Sequence, residues 1–103
     1  MGGQDQTLTI ALQDGFSDDA VIVRVDGETV IDQQSVRTDQ RIGLAYAVDV
    51  ASPDRVVTVE VRLPGRGLRT TADVDPRTSP HVGISVLDGE LVVTTSPTPF
   101  GYV

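Results

Sequence analysis

The sequence predicts an all-β domain, a two-sheet antiparallel β-sandwich of about seven to eight strands. Three observations carry this expectation. Apolar residues alternate at period two in segment after segment, most clearly in Ile42-Leu44-Tyr46-Val48-Val50 and Val57-Val59-Val61-Leu63. Such alternation marks strands buried on one face. No long segment holds a helical period, and turn signals recur at the short spacing of a sandwich or barrel.

The first strand is expected over about 7–13, with Leu8, Ile10 and Leu12 on one parity. A loop follows, Asp14-Gly15-Phe16-Ser17-Asp18-Asp19, in which Phe16 is read as a plug over the core. Strands at about 20–25 and 28–33 form the first hairpin. A two-residue Asp26-Gly27 loop would set Glu28 beside Val25 on the inner face. A three-residue loop, Val25-Asp26-Gly27, instead pairs Arg24 with Glu28 outside, and it is preferred because it buries no unpaired charge. The polar run from Gln33 to Arg41 reads as an exposed loop or an edge strand.

The next strand is placed at about 42–50, followed by a hairpin of about 56–63 with 68–74 around Pro64-Gly65-Arg66-Gly67. A four-residue loop pairs Leu63 with Leu68, Val61 with Thr70, Val59 with Ala72 and Val57 with Val74, all on the apolar face. Glu60–Thr71 and Thr58–Asp73 then pair outside. A one-residue slip would turn every valine outward, so the register is well specified. The last hairpin joins about 82–87 to 90–95 through Asp88-Gly89, which suits a type I′ turn. That turn pairs Val86 with Leu91 and Ile84 with Val93, leaving Leu87 and Glu90 on the other face. The tail Ser96-Pro97-Thr98-Pro99-Phe100-Gly101-Tyr102-Val103 cannot be a central strand, because its prolines lack ladder donors.

At 103 residues the chain reads as a single domain, and 39% hydrophobic content with regular patterning argues against disorder. With no cysteine there are no disulfides, thiolate metal sites or thiol nucleophile. All eight basic residues are Arg, twelve of the fifteen acids are Asp, and there is no Lys or Asn. Lys and Asn have AT-rich codons, so this usage points to a GC-rich genome. Without Lys, Schiff-base and Lys-nucleophile chemistry are excluded. A net charge of −7 opposes binding to nucleic acid and to anionic membranes. No stretch approaches the roughly 20 apolar residues of a membrane helix. The polar start Met1-Gly2-Gly3-Gln4-Asp5-Gln6 has no signal-peptide pattern, so a cytoplasmic location is expected.

No residue constellation specifies catalysis. His81 with Ser79 or Ser85 lacks a Gly-x-Ser-x-Gly elbow, and a lone His at a strand start is ordinarily a surface residue. Arg62, Arg66 and Arg69 cluster about one turn, usually no more than a solvated hairpin tip. Asp14, Asp18 and Asp19 are the candidate calcium ligands, being hard oxygen donors in one loop, although Asp is also an ordinary turn former. No cofactor is expected. Phe100, Tyr102 and Val103 are the candidate interaction residues: two of the chain's four aromatics lie in its last four residues. The tail either folds back to close an open end of the sandwich or docks on a neighbouring chain.

The run Val21-Ile22-Val23-Arg24-Val25-Asp26-Gly27-Glu28-Thr29-Val30 resembles hairpins of small bacterial β-sandwich domains of immunoglobulin-like or prealbumin-like type. Val56-Val57-Thr58-Val59-Glu60-Val61, followed by Pro64-Gly65, is similar to their mid-domain hairpin. The likeness spans about residues 7–95 in pattern, without the Cys-Trp-Cys framework of antibody domains. It implies the fold and no ligand. The expected function is a non-catalytic module for protein interaction or assembly, binding a protein partner or a second copy. The alternative is a small-ligand or calcium-assisted carbohydrate-binding domain.

Overall fold

The computed structural model describes residues 6–101. Eight strands follow in order: β1 (Gln6–Leu12), β2 (Asp19–Val25), β3 (Glu28–Val36), β4 (Tyr46–Ser52), β5 (Val57–Leu63), β6 (Leu68–Val74), β7 (His81–Leu87) and β8 (Glu90–Ser96). They form two four-stranded sheets, ordered β4-β1-β7-β8 and β3-β2-β5-β6. The sheets pack face to face as the sequence predicts. Every described strand pair is antiparallel except β1 with β7, where Ile10 faces Val82 and Leu12 faces Ile84. Alternation carries no strand direction, so this parallel pair leaves no local trace. It needs a long crossover, and the whole of β2 to β6 supplies one.

The core is the set of inward positions. Leu8, Ile10, Leu12, Val21, Val23, Ile31, Val57, Val59, Val61, Leu63, Val74, Val82 and Ile84 are all buried. Several inward side chains of the edge strands are only half-buried: Val48 and Val50 from β4, Leu68 from β6, Leu91 and Val93 from β8. Phe16 is buried in this cluster, plugging one end from the loop between β1 and β2. Gly15 allows that loop to close. Its φ is +87°, and a Cβ there would lie 1.9 Å from the Val86 carbonyl oxygen.

The two later hairpins have the expected registers. Leu63 faces Leu68, Val59 faces Ala72 and Glu60 faces Thr71. A 3₁₀ turn, Pro64–Arg66, joins β5 to β6 and ends on Gly67 in the left-handed region. In the β7–β8 turn both Asp88 (φ 52°) and Gly89 (φ 77°) have positive φ, as a type I′ turn requires.

Two local expectations need correction, and the polar segment takes the edge-strand alternative for its first part. The first hairpin uses the two-residue loop: Val25 faces Glu28, with Asp26 (φ 50°) and Gly27 (φ 83°) between them. A bulge then resets the parity, since Arg24 faces Thr29 while Val23 faces Ile31, leaving Val30 as the extra residue. The Asp26 carboxylate holds this turn, accepting the Thr58 N–H at 2.8 Å and pairing with Arg55 at 2.9 Å. Arg24 lies beside Glu60 of β5, not Glu28. The polar segment after residue 33 continues β3 as far as Val36. A second irregularity, with Ser35 at φ 56°, brings Val36 opposite Asp19. Finally, β4 starts at Tyr46. Ile42 sits in a turn closed by the Asp39–Leu44 bridge, with Gly43 at φ 73° and Ile42 itself exposed.

Candidate functional site

The acidic loop is organised by an arginine. Asp19 opens β2 with its carboxylate almost wholly buried, and Arg66 grips it with two bonds of 2.8 Å from Nε and Nη2. Arg66 also donates to the Gly15 carbonyl at 3.1 Å, and the Ser17 N–H donates to Asp19 at 2.8 Å. Asp14 and Asp18 remain exposed. Among the described residues, no group of three or more acids or His converges as a metal site would. The three proposed calcium ligands are therefore not brought together: Asp19 is committed to tying the loop to the β5–β6 turn.

The Arg66 guanidinium holds the Asp19 carboxyl below its usual value, against the opposing effect of burial. A depressed folded-state pKa stabilises the fold above the unfolded value, about 4, and the gain is lost as pH falls through the folded value. Asp19→Asn should therefore lower stability near pH 7 by about 2 kcal/mol. That difference should shrink as the pH drops below about 4, which thermal melts of both proteins across pH would read.

The arginines expected at one turn separate. Arg66 turns to Asp19, while Arg62 and Arg69 lie on the outer face of the second sheet, at 3.3 and 3.1 Å from Glu60. Arg24, expected beside Glu28, joins them at 3.9 Å from Glu60. The signal was available in principle: Arg24 and Glu60 are both outward residues, but only the β2–β5 register makes them neighbours.

His81 and Ser85 share a face of β7 four residues apart, so about 13 Å of strand separates them. Ser85 Oγ instead accepts the Asp14 N–H at 3.3 Å. No nucleophile–base contact forms between these two.

Of the tail residues, Phe100 is half-buried, and Tyr102 and Val103 lie outside the described residues. Gly101 borders a shallow hollow with Gln13, Asp14 and the Gln40–Gly43 turn. A second concavity, of about 400 Å³, opens between the β3 and β4 edges. It is lined by the apolar Val25, Val30, Val50, Ala51 and Pro53 and by the charged Asp26, Glu28 and Arg55.

The strand edges differ in how they are guarded. β3 carries two register breaks. β4 has Asp49 at its centre, bonded to the Thr9 hydroxyl at 2.7 Å. β6 bears Arg69 and Asp73. β8 is a regular seven-residue strand with no charge after Glu90, and its Val92 is exposed. In the Asp88-Gly89 turn the Glu90 N–H bonds back to Leu87, so Glu90, Val92, Thr94 and Ser96 address β7. The backbone groups of Leu91, Val93 and Thr95 then point away from the sheet.

Among the described residues, no helix is long and apolar enough to cross a membrane. No family model, curated protein or solved structure matches the chain.

Proposed function

We propose that this β-sandwich is a non-catalytic protein-interaction module that assembles by adding a strand to the β8 edge. The observation that carries the reading is the contrast among edges. Natural proteins guard sheet edges with bulges, charges or proline, and β8 alone of the four described edges has no register break and no charge beyond its first residue.

A second copy is the simplest partner. Antiparallel β8–β8 pairing about a two-fold axis at Val93 is self-complementary and closes. It sets Glu90 opposite Ser96 and Val92 opposite Thr94, so no like charges meet. The same operation on β4 would set Asp49 against Asp49, which is repulsive.

The Thr95 N–H faces outward and its side chain is exposed, so Thr95→Pro removes an edge donor without removing a ladder bond or core contact. Sedimentation over a concentration series should show wild-type dimer and Thr95→Pro monomer, with melting points within a few degrees. An equally dimeric Thr95→Pro variant would end the β8 reading. Deleting residues 97–103 tests the tail: a lower melting point with unchanged association assigns it to closing the core. Weaker association at unchanged stability would move the interface to the tail.

The strand order supports the prealbumin-like side of the resemblance over the immunoglobulin-like side. Constant-type immunoglobulin sheets are ABED and CFG, which separates the second strand from the third. Here those two strands are hydrogen-bonded neighbours. A small-ligand function draws on the cleft between β3 and β4, whose size suits a small molecule. It is carried less far because two of its polar lining groups, Asp26 and Arg55, already satisfy each other.

A further inference from the structure

Four arginines have acids of their own: Arg66 with Asp19, Arg55 with Asp26, Arg41 with Asp39 and Arg77 with Asp75. Arg24, Arg62 and Arg69 share a single carboxylate, that of Glu60. The result is a local surplus of two positive charges on a chain of net charge −7.

The sheet fixes this arrangement. Arg62 and Arg69 are directly opposed across β5 and β6, where like charges repel. Arg24 and Glu60 are opposed across β2 and β5, and Thr71 is the next residue in that row. Glu60 can balance only one of the three cations. The Arg24 Nε is buried with no hydrogen-bond partner. The guanidiniums of Arg62 and Arg69 remain partly open to solvent, and Thr71 beside them is exposed. Two acids border the patch without pairing with its arginines: Asp73 follows Thr71 on the same face of β6, and Glu90 lines a hollow with Arg69. Asp32 is separated from Arg62 by Ile22, and Asp73 is bonded to the Thr58 hydroxyl at 3.0 Å.

We propose that Arg24, Arg62, Arg69 and Thr71 form a binding site for a phosphate monoester, on the outer face of the sheet that does not contain β8. A phosphate monoester near neutral pH carries close to the two negative charges the patch lacks, and arginine forks match its oxygens. Its small size matters. Charges beyond about 8–10 Å are largely screened at physiological salt, so a compact dianion seated between Arg62 and Arg69 feels those arginines, with Asp73 and Glu90 at the border, and little of the rest of the acidic chain. A nucleic acid or an anionic membrane would extend past the patch and meet the protein's net negative charge.

The test is an NMR titration of the arginine Nε–H signals at constant ionic strength, with two probes. Glycerol 3-phosphate represents a small metabolite and a short phosphoserine peptide represents a modified protein. Saturable shifts confined to Arg24, Arg62 and Arg69 are expected with at least one probe, and the tighter probe names the source. Arg69→Gln should weaken binding at least tenfold, while Arg41→Gln, at a distant exposed pair, should leave it unchanged. Arg69 is largely exposed, so its variant should melt as the wild type does; Arg62→Gln provides a second readout. Shifts that never saturate, that spread over all the arginines, or that respond equally to Arg41→Gln and Arg69→Gln would overturn the proposal.

Discussion

Replacing Val59 with Asp is expected to abolish folding. Val59 is fully buried at the middle of β5, facing Ala72 on one side and Val25 on the other. A carboxylate there has no partner and must either ionise in the core or remain neutral at a cost of several kcal/mol. A domain of this size holds about 5–15 kcal/mol in all. Circular dichroism and a thermal melt would read the loss. An outward neighbour serves as control: Thr71→Gln, at an exposed position of β6, should stay within about 0.5 kcal/mol of the wild type. By face parity alone Glu60→Lys would seem an equally silent control. The structure reverses that expectation, because Glu60 is the carboxylate that pairs with all three arginines. Glu60→Lys should cost about 1–2 kcal/mol and cost less as salt rises.

Gly15→Ala should destabilise the protein by about 3 kcal/mol or more, whereas Gly27→Ala should cost about 1 kcal/mol. Both glycines have a positive φ, +87° and +83°. They differ in surroundings. A Cβ on Gly27 meets nothing within 4 Å, while one on Gly15 would sit 1.9 Å from the backbone oxygen of Val86. That oxygen belongs to β7 and cannot swing aside like the end of a side chain. The clash would also loosen the bond from the Val86 N–H to the Asp14 carbonyl, 2.8 Å, and the seat of Phe16 in the core. Chemical denaturation of the two variants measures the difference. Equal losses would mean that backbone conformation alone accounts for Gly15.

What was legible in the sequence was what parity can encode. The β5–β6 and β7–β8 registers follow from apolar alternation plus a turn of known length, and every pair named from them is found. Parity failed where one extra residue resets it. The bulge at Val30 lets the two-residue Asp26-Gly27 turn and an inward Ile31 coexist, a combination that unbroken alternation forbids. It failed again at Ile42, whose position extends the β4 alternation although Gly43 takes the chain through a turn. Long-range pairings were also out of reach. Asp19 looked like a loop carboxylate because its partner, Arg66, is 47 residues away. The grouping of Arg24 with Arg62 and Arg69 depends on β2 lying beside β5, which no local pattern states.

The claim that β8 is the assembly edge is most directly tested by amide hydrogen exchange along that strand as protein concentration rises. In dilute protein the Val92 and Thr94 amides, bonded to β7, should be protected, and those of Leu91, Val93 and Thr95 should exchange freely. As dimer forms, the latter three should become protected together, with Val93 at the centre of the new pairing. Leu91, Val93 and Thr95 amides that exchange equally fast from micromolar to millimolar protein would contradict the account.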